Sequence, residues 1–495
     1  MKLKIRELAF DSDKILALIR QDAAKVLAVH TGDRIIISHK GKKIVSEVDI
    51  THQFLREGEI SISKEALEYL NAFQNEEVKI FSMPHPASLD PILKKLNGEV
   101  LTKDEIHSIV VDIVNNTLTE AEIAYFVSGV YKNGMTLAET INLTEAIYKT
   151  GQVLHWSSNK IADKHSIGGI AGNRTTPIVV SISAAAGIIM PKTSSRVITS
   201  AAGTADIIET IAKIDFPAKE LQRIVNKTGA CLAWGGSLGL APADDKLIRV
   251  ERLLDVDPEA QLIASIIAKK LAVGSKYVLI DIPYGKDAKV TKAKAEDLKK
   301  KFLLVGKHFN INLKIMLTDG SQPIGNGIGP VLEMRDVLKV LKRDNPPKDL
   351  ERKSVMLAGI ILEMLGKSKK GEGANLAMQI LNSGKALKKF NEIIDAQGRK
   401  KDNLNLARYK KDIKSKRSGK IKSINNKTIN HLAKLLGCPV DKSSGIYLYK
   451  HTNFPISKNE KILTFYSESK SKLQEALKFY NSSKPISIIS LSKPI

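Results

Sequence analysis

Hydrophobic positions along this chain change their spacing several times, and each change marks a different kind of element. Through residues 1–86 they come in short β-branched runs, "KVLAV", "RIIIS" and "EVKIFS", broken by turns such as "HTGD". Such runs predict strands, so this stretch reads as a small β-rich domain. "MPHPASLDP" follows, with three prolines in nine residues, and reads as a linker. The apolar spacing then becomes helical in "EIHSIVVDIVNN" and "EIAYFVSGVYKNG". Each helix has the same start signal: Thr102 with Glu105, Thr119 with Glu122, and Thr136 with Glu139 are T-x-x-E capping boxes spaced 17 residues apart. Three or four short antiparallel helices are expected.

From about residue 160 short strands alternate with helices. "TTPIVVSISAAAG" suits a packed helix, while "GIIMPKTSSR", "GACLAWG", "KYVLIDIP" and "NLKIMLTDG" suit strands. That alternation predicts an α/β layer with ligands at the carboxyl ends of the strands. Glycine clusters fall at such ends, in "HSIGGIAG", "SAAGT", "WGGSLGL" and "IGNGIGP". Beyond about 420, "INHLAKLLG" reads as a helix and "GIYLYK" and "KILTFYS" as strands, giving a small appended α/β unit without a catalytic constellation.

Composition narrows the function. A chain of 495 residues, 43% hydrophobic and 26% charged, has ordinary globular composition and room for two to four domains. It holds no apolar run long enough to span a bilayer, and "MKLKIRELAFDSDK" lacks the apolar stretch of a signal peptide, so a cytoplasmic protein is expected, without membrane partners. Two cysteines, Cys231 and Cys438, make neither a disulfide framework nor a four-ligand zinc site. The net charge of +24 would suit a nucleic-acid binder. Its densest stretch, 399–427, sets twelve Lys or Arg against two Asp but has one aromatic residue, Tyr409, where a single-strand binder stacks bases on several. A solvated basic surface that attracts small anions is the better reading, with no specific nucleic acid as partner.

The chemistry concentrates in "DKHSIGGIAGN", residues 163–173. Glycines let backbone N–H groups approach an anion, while Lys164 adds a charge and Ser166 a hydroxyl. Downstream, "SSRVITSAAGTADIIE" offers a guanidinium, hydroxyls and a nest of N–H groups. Together with "LAPADD", "ASIIAKKLA" and "TDGSQPIGNGIG" in the same order, these stretches resemble the thymidine and pyrimidine-nucleoside phosphorylases over roughly residues 95–495. Within that superfamily the likeness is to the archaeal AMP phosphorylases. They share an N-terminal domain of this length and Ile after "HS". Asn173 replaces the Asp of thymidine phosphorylases in a segment one residue longer, and "LIRVERLLDVDPEAQ" departs from their base-binding segment.

The resemblance implies an α/β nucleoside phosphorylase fold. A helical domain (87–155 with 244–272) would face a mixed α/β domain (156–243 and 273–419), flanked by the β-rich domain 1–86 and the C-terminal unit 420–495. The enzyme would convert AMP, and also CMP and UMP, with inorganic phosphate to free base and ribose 1,5-bisphosphate. It would use no metal or organic cofactor and would assemble as a homodimer or larger homo-oligomer. The alternatives are a pyrimidine-nucleoside phosphorylase and, from a different class, a basic nucleic-acid-binding protein.

Residue by residue, the likeness adds Thr176, Ser194 and Thr204 to Lys164 and Ser166 as the inorganic-phosphate site. It assigns the nucleotide to Gly169, Ser195, Arg196, Val197, Ile198, Thr199, Ser200, Thr204, Ser265 and Lys289. Two charge-assisted hydrogen bonds to a 5′-phosphate, at roughly 1.5–3 kcal/mol each, would favour nucleotide over nucleoside by about 10²–10⁴. Ser265 with Lys269 matches the thymidine-phosphorylase base site instead. For the proton to the departing base there are two candidates. Asp257 matches the AMP-phosphorylase donor and would need burial to stay protonated, while His165 matches the thymidine-phosphorylase one. Asp257 also precedes Pro258 and Glu259 as a helix cap would.

Overall fold

The structure is a computed structural model that describes residues 1–8, 15–197, 200–400 and 404–490. In the N-terminal region side chains alternate inward and outward along six strands, β1 (Lys2–Ile5), β2 (Leu16–Arg20), β3 (Arg34–His39), β4 (Lys42–Thr51), β5 (Glu59–Ile62) and β6 (Glu77–Ser82). They close into a barrel in the order β1-β5-β2-β4-β3-β6. Ile19, Ile35, Ile37, Ile60 and Ile80 fill it. One run breaks its expectation: Lys25–Leu27 of "KVLAV" end a helix, α1 (Gln21–Leu27), and Ala28 turns left-handed with φ 52°. The helix buries Ala23 and Ala24 and leaves Val26 exposed, so tertiary packing overrides the branched side chains. A second short helix, α2 (Lys64–Leu70), also packs on the barrel.

Four helices follow: α3 (Leu89–Leu96), α4 (Lys103–Val114), α5 (Glu120–Asn133) and α6 (Leu137–Lys149). The expected linker is shorter than its prolines suggest, because α3 starts at Leu89 and takes Pro91 into its first turn, where no N–H is needed. All three capping boxes form, at Thr102, Thr119 and Thr136. Their glutamates differ in what else they hold. Glu105 meets Lys94 near the surface at 2.9 Å. Glu122 takes the guanidinium of Arg34, from the barrel, through two hydrogen bonds of 2.6 and 3.0 Å. Glu139 is buried with Lys95 at 2.8 Å and also accepts the Leu101 N–H. Barrel, bundle and the later segment Ala241–Ser265 group into one unit, Met1–Gly151 with Ala241–Ser265.

The second unit is Gln152–Leu240 with Ile266–Ile495. Its elements run β7 (Ala162–Ser166), α7 (Thr175–Ala185), β8 (Met190–Ser194), α8 (Thr204–Ile208), α9 (Ala218–Thr228) and β9 (Ala230–Trp234). After α10 (Pro242–Leu254), which belongs to the first unit, and α11 (Glu259–Ala272) come β10 (Tyr277–Tyr284), α12 (Lys292–His308) and β11 (Asn312–Asp319). β11, β10 and β7 pair in parallel, as do β8 and β9, and a parallel bridge between Ile161 and Ile189 joins the two ladders. All five strands therefore end on the same side, and Ser166 and Ser194 end neighbouring strands. α7 is buried almost throughout, against Val337, Leu357, Ile361 and Phe390 from later helices. Those helices are α13 (Pro330–Lys342), α14 (Lys348–Met364), α15 (Gly373–Asn382) and α16 (Lys385–Ala396).

The C-terminal region forms as its pattern predicts, with α17 (Asn426–Leu436) on "INHLAKLLG" and strands on Gly445–Leu448 and Lys461–Ser467. It is not merely appended. The short strand Gly327–Ile328 of the α/β region pairs with Gly445–Leu448 and so joins its sheet. No helix among the described residues is long and apolar enough to cross a membrane.

The bundle yields a stability prediction. Glu105→Gln keeps a capping box and loses only a surface pair, so it should cost under about 1 kcal/mol. Glu139→Gln strands Lys95 as a buried unpaired charge and should cost about 3–5 kcal/mol. Urea unfolding followed by circular dichroism measures both, and equal midpoints would refute the distinction.

Candidate active site

The run that opens the site is a strand followed by a loop. Because side chains alternate along β7, Lys164 and Ser166 share one face, and Asp163 and His165 the other. The loop Ile167–Arg174 then turns on Gly168, Gly169 and Gly172, with φ of 88°, 87° and 71°. A side chain at Gly172 would meet the Ile324 carbonyl at 2.2 Å, and one at Gly169 would press on Lys289 at 3.1 Å. Glycine is therefore a packing requirement here as well as a conformational one.

On the first face, Lys164 is 1% exposed and its Nζ donates to Thr175 Oγ1 at 2.7 Å. Among the described residues no carboxylate is in ion-pair contact with it. Burial lowers its pKa to about 7 against the pull of Asp281, and Lys353, Lys192 and Arg174 lower it further. Asp281 lies opposite Ser166 on β10, but its oxygens are occupied. They accept from Ser166 Oγ at 3.1 Å and Thr318 Oγ1 at 2.6 Å, and pair with Lys353 Nζ at 2.9 Å. Thr176 is buried in the first turn of α7, and Ser194 Oγ donates to the Ala233 carbonyl at 3.3 Å. A buried cation with this little compensation is poised for an anion.

On the second face, Asp163 is fully buried between Lys270 at 2.6 Å and Lys192 at 3.1 Å. His165 is half-buried beside them. Burial, and then the charges of Lys270, Lys192, Lys164 and Lys269, hold its imidazole well below the ordinary histidine range. The ring is neutral at pH 7.

The second anion loop starts after β8. Asp206, in the first turn of α8, accepts the N–H groups of Gly203 at 2.7 Å and Val197 at 2.8 Å, which folds the loop back on the helix. Gly203 takes the cap position of α8. Ser195 is exposed, and Ser200 Oγ donates to the Ala202 carbonyl at 2.7 Å. Arg196 is occupied by protein partners: Glu209 takes its fork at 2.9 and 3.0 Å, and the guanidinium lies 5.0 Å from the Trp234 ring. Ile198 and Thr199 lie outside the described residues.

Lys289 Nζ reaches the Ile167 carbonyl at 3.4 Å, beside Gly169. Asp257 and Ser265 belong to the first unit. Asp257 is exposed, two residues before α11. Ser265 Oγ donates to Asp244 Oδ2 at 2.8 Å.

Several residues escaped the sequence reading. Asp163 and Asp281 organise the lysines, and Arg174 joins the two loops through Ser200 Oγ at 3.3 Å and the Ala202 carbonyl. Two buried asparagines of α17 also brace the loops. Asn426 contacts the Ala171 N–H at 3.3 Å and the Gly320 carbonyl at 2.9 Å, and Asn430 contacts the Ala201 N–H at 3.1 Å and the Gly169 carbonyl at 3.4 Å. Nothing in the sequence of α17 signals such a role, because these contacts join residues far apart in the chain. Among the described residues no group of three or more His, Cys, Asp or Glu is arranged to hold a metal ion.

Comparison with known proteins agrees with this geometry. Residues 90–151 match the glycosyl transferase family helical bundle domain, and 158–387 match that family's a/b domain. Residues 420–487 match the pyrimidine nucleoside phosphorylase C-terminal domain. An AMP phosphorylase of Methanococcus aeolicus is 40% identical over 491 residues, covering 98% of this chain and 97% of that protein. One of Thermococcus kodakarensis is 41% identical over 493 residues, covering 99% and 98%. Among solved structures, anthranilate phosphoribosyltransferase from Thermus thermophilus is similar with a TM-score of 0.51. At 16% identity, over 62% of this chain and 99% of that one, it speaks for the fold alone. With such identity to the two AMP phosphorylases held over nearly its whole length, this chain belongs to the AMP phosphorylase family.

Proposed function

We propose that the chain catalyses phosphorolysis of AMP, with CMP and UMP as further substrates, giving free base and ribose 1,5-bisphosphate. The observation that carries this reading is the near full-length similarity to AMP phosphorylases, and the uncompensated Lys164 supports it. Inorganic phosphate is the co-substrate, and the reaction calls on no metal or organic cofactor. A phosphate oxygen attacks the anomeric carbon, the bond to the base breaks, and the sugar passes through an oxocarbenium-like state. Lys164, Ser166, Thr176, Ser194 and Thr204 hold the attacking phosphate. The 195–204 loop, with Gly169, Ser265 and Lys289, holds the nucleotide.

Asp257 delivers the proton to N7 of the leaving adenine. A neutral His165 among four lysines is a poor proton donor, which supports that assignment. The protein assembles as a homodimer through the helical bundle, where Val100, Tyr125 and Tyr131 are exposed apolar surface.

The reading is tested by assaying free base. AMP should be cleaved only when phosphate is present, and adenosine far more slowly. Equal rates on AMP and thymidine would favour the pyrimidine-nucleoside alternative.

The proton assignment has its own test. Asp257→Asn should lower kcat on AMP by about 10²–10⁴ with the melting temperature unchanged, since Asn caps a helix as well as Asp does. Near-normal turnover in that variant, with collapse in His165→Asn, would move the proton to His165.

Lys164 makes anion binding pH-dependent. Above pH 7 it is largely neutral, and an arriving anion restores its proton, so binding takes up a proton; below pH 7 the proton is already there. Sulfate, whose charge is fixed in this range, is the probe. Calorimetry in buffers of different ionisation enthalpy should find uptake approaching one proton at about pH 8 and little at about pH 6. Lys164→Arg should abolish the difference, and pH-independent uptake in the wild type would refute the assignment.

A further inference from the structure

Arg174 closes the glycine loop and is 9% exposed. Its Nε donates to Glu333, which in turn accepts the Gly329 N–H at 2.9 Å. Its Nη2 donates to Ser200 Oγ at 3.3 Å and to the Ala202 carbonyl. Its Nη1 has no hydrogen-bond partner among the described residues. A guanidinium this deeply buried, with the N–H groups of one terminal nitrogen unsatisfied, is an incomplete site for an anion, and a phosphoryl group can accept from those donors. The bonds to Ser200 and Ala202 hold the guanidinium against the end of the second loop. Arg196 differs in that Glu209 already occupies the paired Nη1 and Nη2 edge of its guanidinium.

We propose that Arg174, through its open Nη1 edge, supplies the guanidinium of the nucleotide's 5′-phosphate subsite and thereby sets the preference for nucleotide over nucleoside. The inference rests on the AMP phosphorolysis reading above. Arg174 also lies close enough to Lys164 to disfavour that lysine's proton.

The test compares kcat/KM for AMP and for adenosine in the wild type, Arg174→Lys, Arg174→Met/Glu333→Gln and Arg196→Met. Arg174→Lys keeps a charge for Glu333 but loses the Nη1 donors. The double variant removes both members of the buried pair, so neither is left stranded. Both Arg174 variants should lower the AMP-to-adenosine ratio by roughly 10- to 100-fold, the worth of one charge-assisted hydrogen bond. A merely structural role would lower both rates together and leave the ratio intact, which would overturn the proposal. A rise confined to KM for inorganic phosphate would also overturn it, by assigning Arg174 to the other anion. Loss of the ratio in Arg196→Met alone would return the subsite to Arg196. A wild type without preference for AMP would refute the AMP reading itself, and is recognisable before any variant is made.

Discussion

A buried ammonium group without a carboxylate of its own is the constraint around which this site is arranged. Taking Lys164 out of water costs several kcal/mol unless something compensates it, and the protein supplies only a threonine hydroxyl and a nearby carboxylate shared with Lys353, Ser166 and Thr318. The other lysines of the cluster are paired: Lys192 and Lys270 with Asp163, and Lys353 with Asp281. The charge left over is positive and lies at the carboxyl ends of parallel strands, where helix α7 begins and the glycine loop lies. The polypeptide by itself leaves that balance open.

The same strand explains how two kinds of chemistry share one short run of residues. Alternation sends Lys164 and Ser166 to the side of Asp281, and His165 to the side of Asp163 and its two lysines. His165 therefore sits in a field of cations that keeps it neutral, while Lys164 and Ser166 face a field that is only partly balanced. Holding the two loops beyond the strands takes more than their own residues. Asp206 draws the second loop onto α8, Arg174 bridges it to the first, and Asn426 and Asn430 reach in from the C-terminal region. Bracing of this sort fixes both loops in place, so that they need no reordering at the moment of binding.

How much of this was legible depended on whether the determining contacts were local. Capping boxes are written within four residues, and all three formed. Alternating strands, the packed α7 and the glycine turns are also local, and the sequence pattern predicted them. The motifs brought family membership into view because short runs such as "DKHSIGG" and "SSRVITSAAGTADIIE" carry their chemistry in order. "KVLAV" misled because its branched residues favour a strand while Ala23 and Ala24, just before it, pack best as a helix on the barrel.

Other decisions belonged to tertiary structure. Three identical capping boxes became three different interactions once Glu105 met a lysine near the surface, Glu122 met a barrel arginine and Glu139 met a buried lysine. Arg196 and Arg174 look alike as guanidiniums in a sequence, and only the placement of Glu209 and Glu333 distinguishes them. The C-terminal helix showed no sign of its two asparagines' work. A sequence by itself determines local geometry and the supply of chemical groups. Which charge is left uncompensated is a sum over neighbours far apart in the chain, and it exists only once the fold has brought them together.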